Sequence, residues 1–112
     1  MDTKRLPGGF ETLLMLAVLR LGENAYGVTI REELLDKAGK DVAVGAIYTG
    51  LERLARKGYV QSRLGDPTPE RGGRAKRFYR LTAAGSNVLI DTQRAMRRLS
   101  SGLKLARGVA YA

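Results

Sequence analysis

The chain has 112 residues, room for one domain of ordinary size. It contains no cysteine and no histidine. That removes disulfides, thiolate chemistry, the common zinc sites and the commonest general base, so neither an enzyme nor a metal protein is expected. The net charge of +9 is sorted along the chain: residues 1–52 hold 6 basic and 8 acidic side chains, residues 53–112 hold 14 and 3. A second half this basic attracts polyanions, of which DNA, RNA and anionic lipid are the candidates.

Residues 1–9 read as a polar arm ending in the breaker Pro7-Gly8-Gly9. Phe10–Leu21 is rich in helix formers and stops at Gly22. Its apolar run Leu13–Leu19 is far shorter than the roughly 20 residues of a membrane span. Lys4 and Arg5 precede the run, but no small-residue cleavage site follows before Tyr26, so a cytoplasmic chain is expected. Apolar residues lie nearly all round this helix, which points to packing on more than one side. A chain this short buries only about two-thirds of its unfolded surface, so a second subunit would add stability.

A second helix is predicted from about Ala25 to Ala38, with Asn24 as its cap, Tyr26, Ile30 and Leu34 facing the core, Leu35 beside them, and Gly39 as the stop. A third runs from about Val42 to Lys57, capped by Asp41 and ended by Gly58. Its apolar face is Val44, Ile47, Tyr48, Leu51, Leu54 and Ala55. The opposite face carries Ala46, Thr49, Gly50, Arg53, Arg56 and Lys57, small at first and then basic, a surface that another large molecule can approach closely.

The periodicity then changes. Tyr59–Leu64 and Ala75–Leu81 read as two strands of a hairpin joined by a ten-residue Pro- and Gly-containing loop, longer than ordinary hairpin loops. The segment Arg71–Arg80 places five cations in ten residues: Arg71, Arg74, Lys76, Arg77 and Arg80, with Gly72-Gly73 allowing close backbone approach. Alternation sets Lys76, Phe78 and Arg80 on one side, and Tyr79 and Leu81 inward on the other. The competing reading is a charged edge that discourages strand aggregation. Thr82 caps a last helix, in which Leu89, Thr92, Met96, Leu99 and Leu103 form a heptad-like seam flanked by Arg94, Arg97 and Arg98. If helical to Leu105, this segment is long enough to leave part of its seam without a partner in its own subunit.

This order of elements predicts a mostly helical α+β fold: an arm (1–9), a winged helix-turn-helix domain (10–82), a C-terminal dimerisation helix (83–105) and a tail (106–112). In such a fold the third helix enters the major groove of double-stranded DNA and the wing touches backbone or minor groove. The DNA contacts expected are Gly45, Ala46, Tyr48, Thr49 and Arg53 on the helix, and Arg71, Gly73, Arg74, Lys76 and Arg77 on the wing. Tyr48 fits core packing as readily as phosphate contact. A homodimer is expected through Phe10, Leu13, Leu14, Leu89, Met96, Leu99 and Leu103.

From Phe10 to about Leu103 the chain resembles the PadR family of bacterial transcriptional regulators. The resemblance rests on Tyr26-Gly27, on Gly45-Ala46-Ile47-Tyr48 followed by Leu51, Leu54 and Gly58-Tyr59-Val60, and on Gly73-Arg74 and Lys76–Gly85. It implies a homodimeric winged-helix repressor of the short subfamily, acting at a pseudo-palindromic operator. No cofactor is implied, although some members answer to a small-molecule effector such as a phenolic acid or hydrophobic drug. The chain departs from many members at Thr49, where proline is frequent, and at Ala43 and Val44, where Ser and Pro are common. It also lacks tryptophan, so the tryptophan-lined drug site of some short members does not carry over. Two other readings stay open: an RNA-binding or ribosome-associated basic protein, and a protein-interaction adaptor on the same fold.

Overall fold

Three glycines in the left-handed region of backbone space punctuate the first half of the chain: Gly22 (φ 59°), Gly39 (φ 65°) and Gly58 (φ 81°). Each follows a helix or its last turn, where a residue with a Cβ would be strained. Between these stops lie α1 (Gly9–Leu21), a turn of 3-10 helix (Gly22–Asn24), α2 (Gly27–Ala38) and α3 (Val44–Arg56). The strands β1 (Val60–Leu64) and β2 (Arg77–Leu81) follow, and then α4 (Ala83–Ser100). The computed structural model describes residues 7–65 and 75–108. Arg71, Gly73 and Arg74 lie outside the described residues.

Leu14, Met15, Val18, Ile30, Ile47, Leu51 and Leu54 are fully buried and bring α1, α2 and α3 together around one core. Tyr59, Val60 and Tyr79 close it from the hairpin, and Leu89 from α4. Gly50 sits on the buried side of α3, not on its outer face as expected. A Cβ there would stand 2.5 Å from Leu14 Cδ1 and 3.1 Å from Phe10 Cε2, so the missing side chain lets α1 press against α3. Lys57, also expected outside, donates to Glu11 Oε2 at 2.7 Å and ties the end of α3 to the start of α1. Leu35 and Ala55, expected at the core, are exposed.

The helix starts differ from the sequence expectation. Helix α2 begins two residues later than expected. Tyr26 takes the cap position, and Thr29, inside the first turn, accepts from the Tyr26 N–H at 3.0 Å and donates to the Asn24 carbonyl at 2.5 Å. The Asn24 side chain is not the cap. Asp41 does not cap α3 either; it pairs with Arg31 at 3.1 Å, and Ala43 takes the cap position without a side-chain bond.

The strands pair antiparallel with Val60 opposite Leu81, Ser62 opposite Tyr79 and Arg63 opposite Phe78. The Tyr79 N–H donates to the Ala25 carbonyl at 2.9 Å, which fastens β2 to the turn before α2. Where β2 meets α4, Thr82 accepts from the Gly85 N–H at 3.0 Å and donates to the Gly58 carbonyl at 2.6 Å. A Cβ on Gly85 would overlap the Tyr59 carbonyl oxygen. The Thr-x-x-Gly ending of β2 is therefore a physical requirement of this junction.

Among the described residues, helix α4 buries Gly85 and Leu89 in its first turns, with Val88 packed beside them against the core. It ends at Ser100, five residues short of the expected Leu105; Gly102 (φ 79°) follows, and the Leu103 N–H turns back to the Ser100 carbonyl at 3.0 Å. Met96 is 63% exposed, Leu99 80% and Leu103 62%, so the far half of the seam has no partner among the described residues of the subunit. Leu14 and Leu89, expected at a dimer contact, are instead enclosed by the subunit's own core and have almost no surface left to offer.

Candidate nucleic-acid interface

The outer face of α3 presents Ala46, Thr49 and Arg53, all exposed, with Gly45 open beside them. The Thr49 hydroxyl donates to the Gly45 carbonyl at 3.0 Å, a bond of the i, i−4 kind that fixes its rotamer and turns its methyl away from that bond. These side chains are short, so the helix backbone could lie close to base edges, with Arg53 as the long donor one turn further on.

Tyr48 leans away from that face. Its hydroxyl stands 2.6 Å from where a Cβ on Gly27 would be, and its ring lies 6.4 Å from the Tyr79 ring. Tyr26-Gly27 is thus explained by packing: the glycine makes room for Tyr48. A groove of about 750 Å³ separates α3 from the hairpin, lined by Tyr26, Tyr48, Leu51, Glu52, Lys76 and Tyr79 among others. Burial pushes the Tyr79 phenol above its ordinary value of 10.0, with neighbouring Tyr48 and Glu52 adding to the shift and Arg77 opposing it.

The cations of the hairpin are held by neutral groups. Lys76 Nζ lies 4.4 Å from the centre of the Tyr26 ring and 3.4 Å from its hydroxyl. Arg77 donates to Ser62 Oγ at 3.1 Å, and Arg80 donates twice to Gln61 Oε1 at 3.1 and 3.3 Å. Arg63 covers the Phe78 ring at 4.8 Å. The cations of α1 and α2 have acidic partners instead: Arg20 pairs with Glu33, Arg31 with Asp41 and Lys37 with Asp36, and Lys57 at the end of α3 pairs with Glu11. Among the described residues, the hairpin orders its positive charge without neutralising it.

Arg63 was not singled out from the sequence, because its place depends on strand register: only pairing with Phe78 sets its guanidinium on that ring. Gln61 is likewise explained only by Arg80 across the sheet. Phe78, read from the sequence as exposed, is half-buried and meets Tyr26 edge-on with ring centres 5.4 Å apart. No group of three or more acidic side chains suited to a metal ion occurs among the described residues, and no described helix is long and apolar enough to cross a membrane.

Three packed helices, a hairpin after the third and a further helix beyond it define a winged-helix protein. The family model of the transcriptional regulator PadR-like family matches residues 15–91, and the chain belongs to that family of transcriptional regulators. Among curated proteins, none matches the sequence significantly. The structure is similar to that of a PadR family transcriptional regulator from Eggerthella lenta DSM 2243, 28% identical, covering 82% of this chain and 78% of that one, with a TM-score of 0.65. It is also similar to a PadR family transcription regulator from Clostridium difficile R20291, 24% identical, covering 82% and 92%, with a TM-score of 0.66. A PadR-like transcriptional regulator from Bacillus cereus shares the fold at 20% identity, covering 88% and 91%, with a TM-score of 0.67.

Proposed function

We propose that this protein is a homodimeric repressor that binds a pseudo-palindromic site in double-stranded DNA and acts by occupying a promoter in the cytoplasm. The observation that carries the reading is the hairpin's set of ordered cations, unneutralised among the described residues, beside the small-residue face of α3. A charge held by a ring, hydroxyl or amide keeps its full attraction for phosphate, while its side-chain entropy is already partly lost. In this reading Ala46, Thr49 and Arg53 meet base edges, Gly45 lets the backbone approach, and Lys76 and Arg77 hold the flanking backbone together with Arg71, Gly73 and Arg74. Tyr48 supports α3 from the inside.

The dimer in this reading forms through Met96, Leu99 and Leu103, with Phe10 and Leu13 at its edge. Met96 and Leu99 are exposed apolar side chains on a helix that continues past its own core, Leu103 lies just beyond its end, and a second copy would cover all three. Two α3 helices would then face successive major grooves about one DNA turn apart. The RNA reading is weakened by Phe78, whose ring is already occupied by Tyr26 and Arg63 and is not free to stack on a base.

Selection of bound sites from random duplex DNA tests both parts at once. The expected product is a two-fold symmetric motif whose half-sites lie about one helical turn apart. Recovery of no motif, or equal binding to structured RNA at the same salt, would remove the proposal.

A further inference from the structure

Four side chains from three parts of the chain form one continuous stack: Arg63 on Phe78 at 4.8 Å, Phe78 against Tyr26 at 5.4 Å, and Lys76 over Tyr26 at 4.4 Å. Arg63 comes from β1, Phe78 and Lys76 from β2 and the residues just before it, and Tyr26 from the N-cap position of α2. A cation thus closes each end of an aromatic pair, and the pair bridges the wing to the helix-turn-helix. Tyr26 and Phe78 meet at 68°, the edge-to-face arrangement that aromatic rings prefer.

We propose that Arg63 is a further DNA-contacting residue that binds a backbone phosphate, and that Phe78 and Tyr26 are positioning residues that set Arg63 and Lys76 as a fixed pair of charges. This inference rests on the duplex-binding reading above. Contact with an aromatic face attracts the guanidinium without using up its N–H donors, and no hydrogen-bond acceptor meets Arg63 among the described residues. A phosphate is the partner that such a planar fork fits, since it can accept two parallel bonds. The choice of phosphate over base follows from position: Arg63 lies on the wing strand, opposite Phe78, while the base-facing side chains stand on α3.

The stack also gives the wing a defined place relative to α3. Tyr26 precedes α2, and the Tyr79 N–H to Ala25 bond lies beside it. Phosphates gripped at Arg63 and Lys76 would then stand at a fixed offset from bases met by Ala46, Thr49 and Arg53.

Fluorescence anisotropy with a labelled mixed-sequence duplex, titrated at several salt concentrations, tests this on the full chain. Arg63→Gln should weaken binding about tenfold at low salt and make the plot of log K against log salt shallower by about one unit, the mark of one lost phosphate contact. Arg20→Gln, which removes a cation paired with Glu33, serves as the control and should leave the slope unchanged. Arg63→Lys keeps the charge and should retain the slope while losing a few-fold in affinity. Phe78→Leu should weaken binding in the parent and cost clearly less in the Arg63→Gln background, where only Lys76 is left to position; full additivity would overturn the positioning of Arg63. If the parent binds duplex with a steep salt dependence and Arg63→Gln behaves like it, this proposal fails and the duplex-binding reading stands. If the parent shows no salt-dependent binding, the duplex-binding reading fails and takes this inference with it. Arg63 is exposed, so its variants should melt at the parent's temperature, which circular dichroism checks.

Discussion

The hydroxyl of Tyr48 occupies the space that a side chain on Gly27 would need: an added Cβ would lie 2.6 Å from the oxygen and 2.8 Å from the ring carbon that bears it. Gly27→Ala should therefore destabilise the protein by about 1–3 kcal/mol through overpacking. In a Tyr48→Ala background the same change should be neutral or stabilising, because alanine is the better helix former. Thermal melts of the four proteins decide; equal costs in both backgrounds would show that Tyr48 is not what excludes the methyl group.

Gly85→Ala should cost more, about 3 kcal/mol, at the upper end of ordinary overpacking. Its Cβ would meet backbone, the Tyr59 carbonyl, which also accepts from the Thr82 N–H at 3.0 Å and cannot swing aside as a side chain can. Urea unfolding measures it. A variant as stable as the parent would mean that α4 can shift on the hairpin at no cost.

Tyr79 makes stability fall at high pH. Its folded-state pKa lies above the unfolded value of 10.0, so the unfolded chain gives up this proton first. The contribution is complete below pH 10 and is lost as the pH rises through the folded value. Melting temperature should decline above pH 10 in the parent and decline less in Tyr79→Phe; matching pH profiles would exclude this phenol as the cause.

Leu99→Glu should give a monomer. Leu99 is 80% exposed in the subunit, so the charge meets water in one copy and would be buried against an apolar seam in two. Sedimentation at micromolar concentration is expected to show a dimer for the parent and half that mass for the variant. A monomeric parent would end the dimer proposal.

Arg53→Ala should cost about 1–3 kcal/mol of binding to the selected site and relax preference at one base pair in each half-site. Competition between the selected site and single-base variants measures this. An unchanged preference with a shallower salt slope would reassign Arg53 to phosphate.

The sequence made the order of elements legible because the signals were local. Gly22, Gly39 and Gly58 mark stops, the 3.6-residue period marks α3, and Thr82 caps α4. What it concealed depended on contacts between distant segments. Gly50 looks like part of an open face until α1 is laid against it, and Lys57 looks solvated until Glu11 comes within reach across 46 positions. Leu14 and Leu89 share the apolar character of Leu99, and only burial tells which of them belongs to the subunit's own core. Arg63 is an ordinary surface arginine until the register sets Phe78 beneath it. Arg71 and Arg74, the most conspicuous feature of the sequence, lie outside the described residues.

The division of α3 into two unlike faces has a consequence for how such a protein can diversify. Gly50, Ile47, Leu51 and Leu54 are buried and lock the helix from behind, whereas Ala46, Thr49 and Arg53 in front are exposed. Substitutions at Ala46, Thr49 or Arg53 therefore fall on ground where folding exerts little selection. A lineage carrying this scaffold could drift from one target site to another while its thermal stability stayed almost constant.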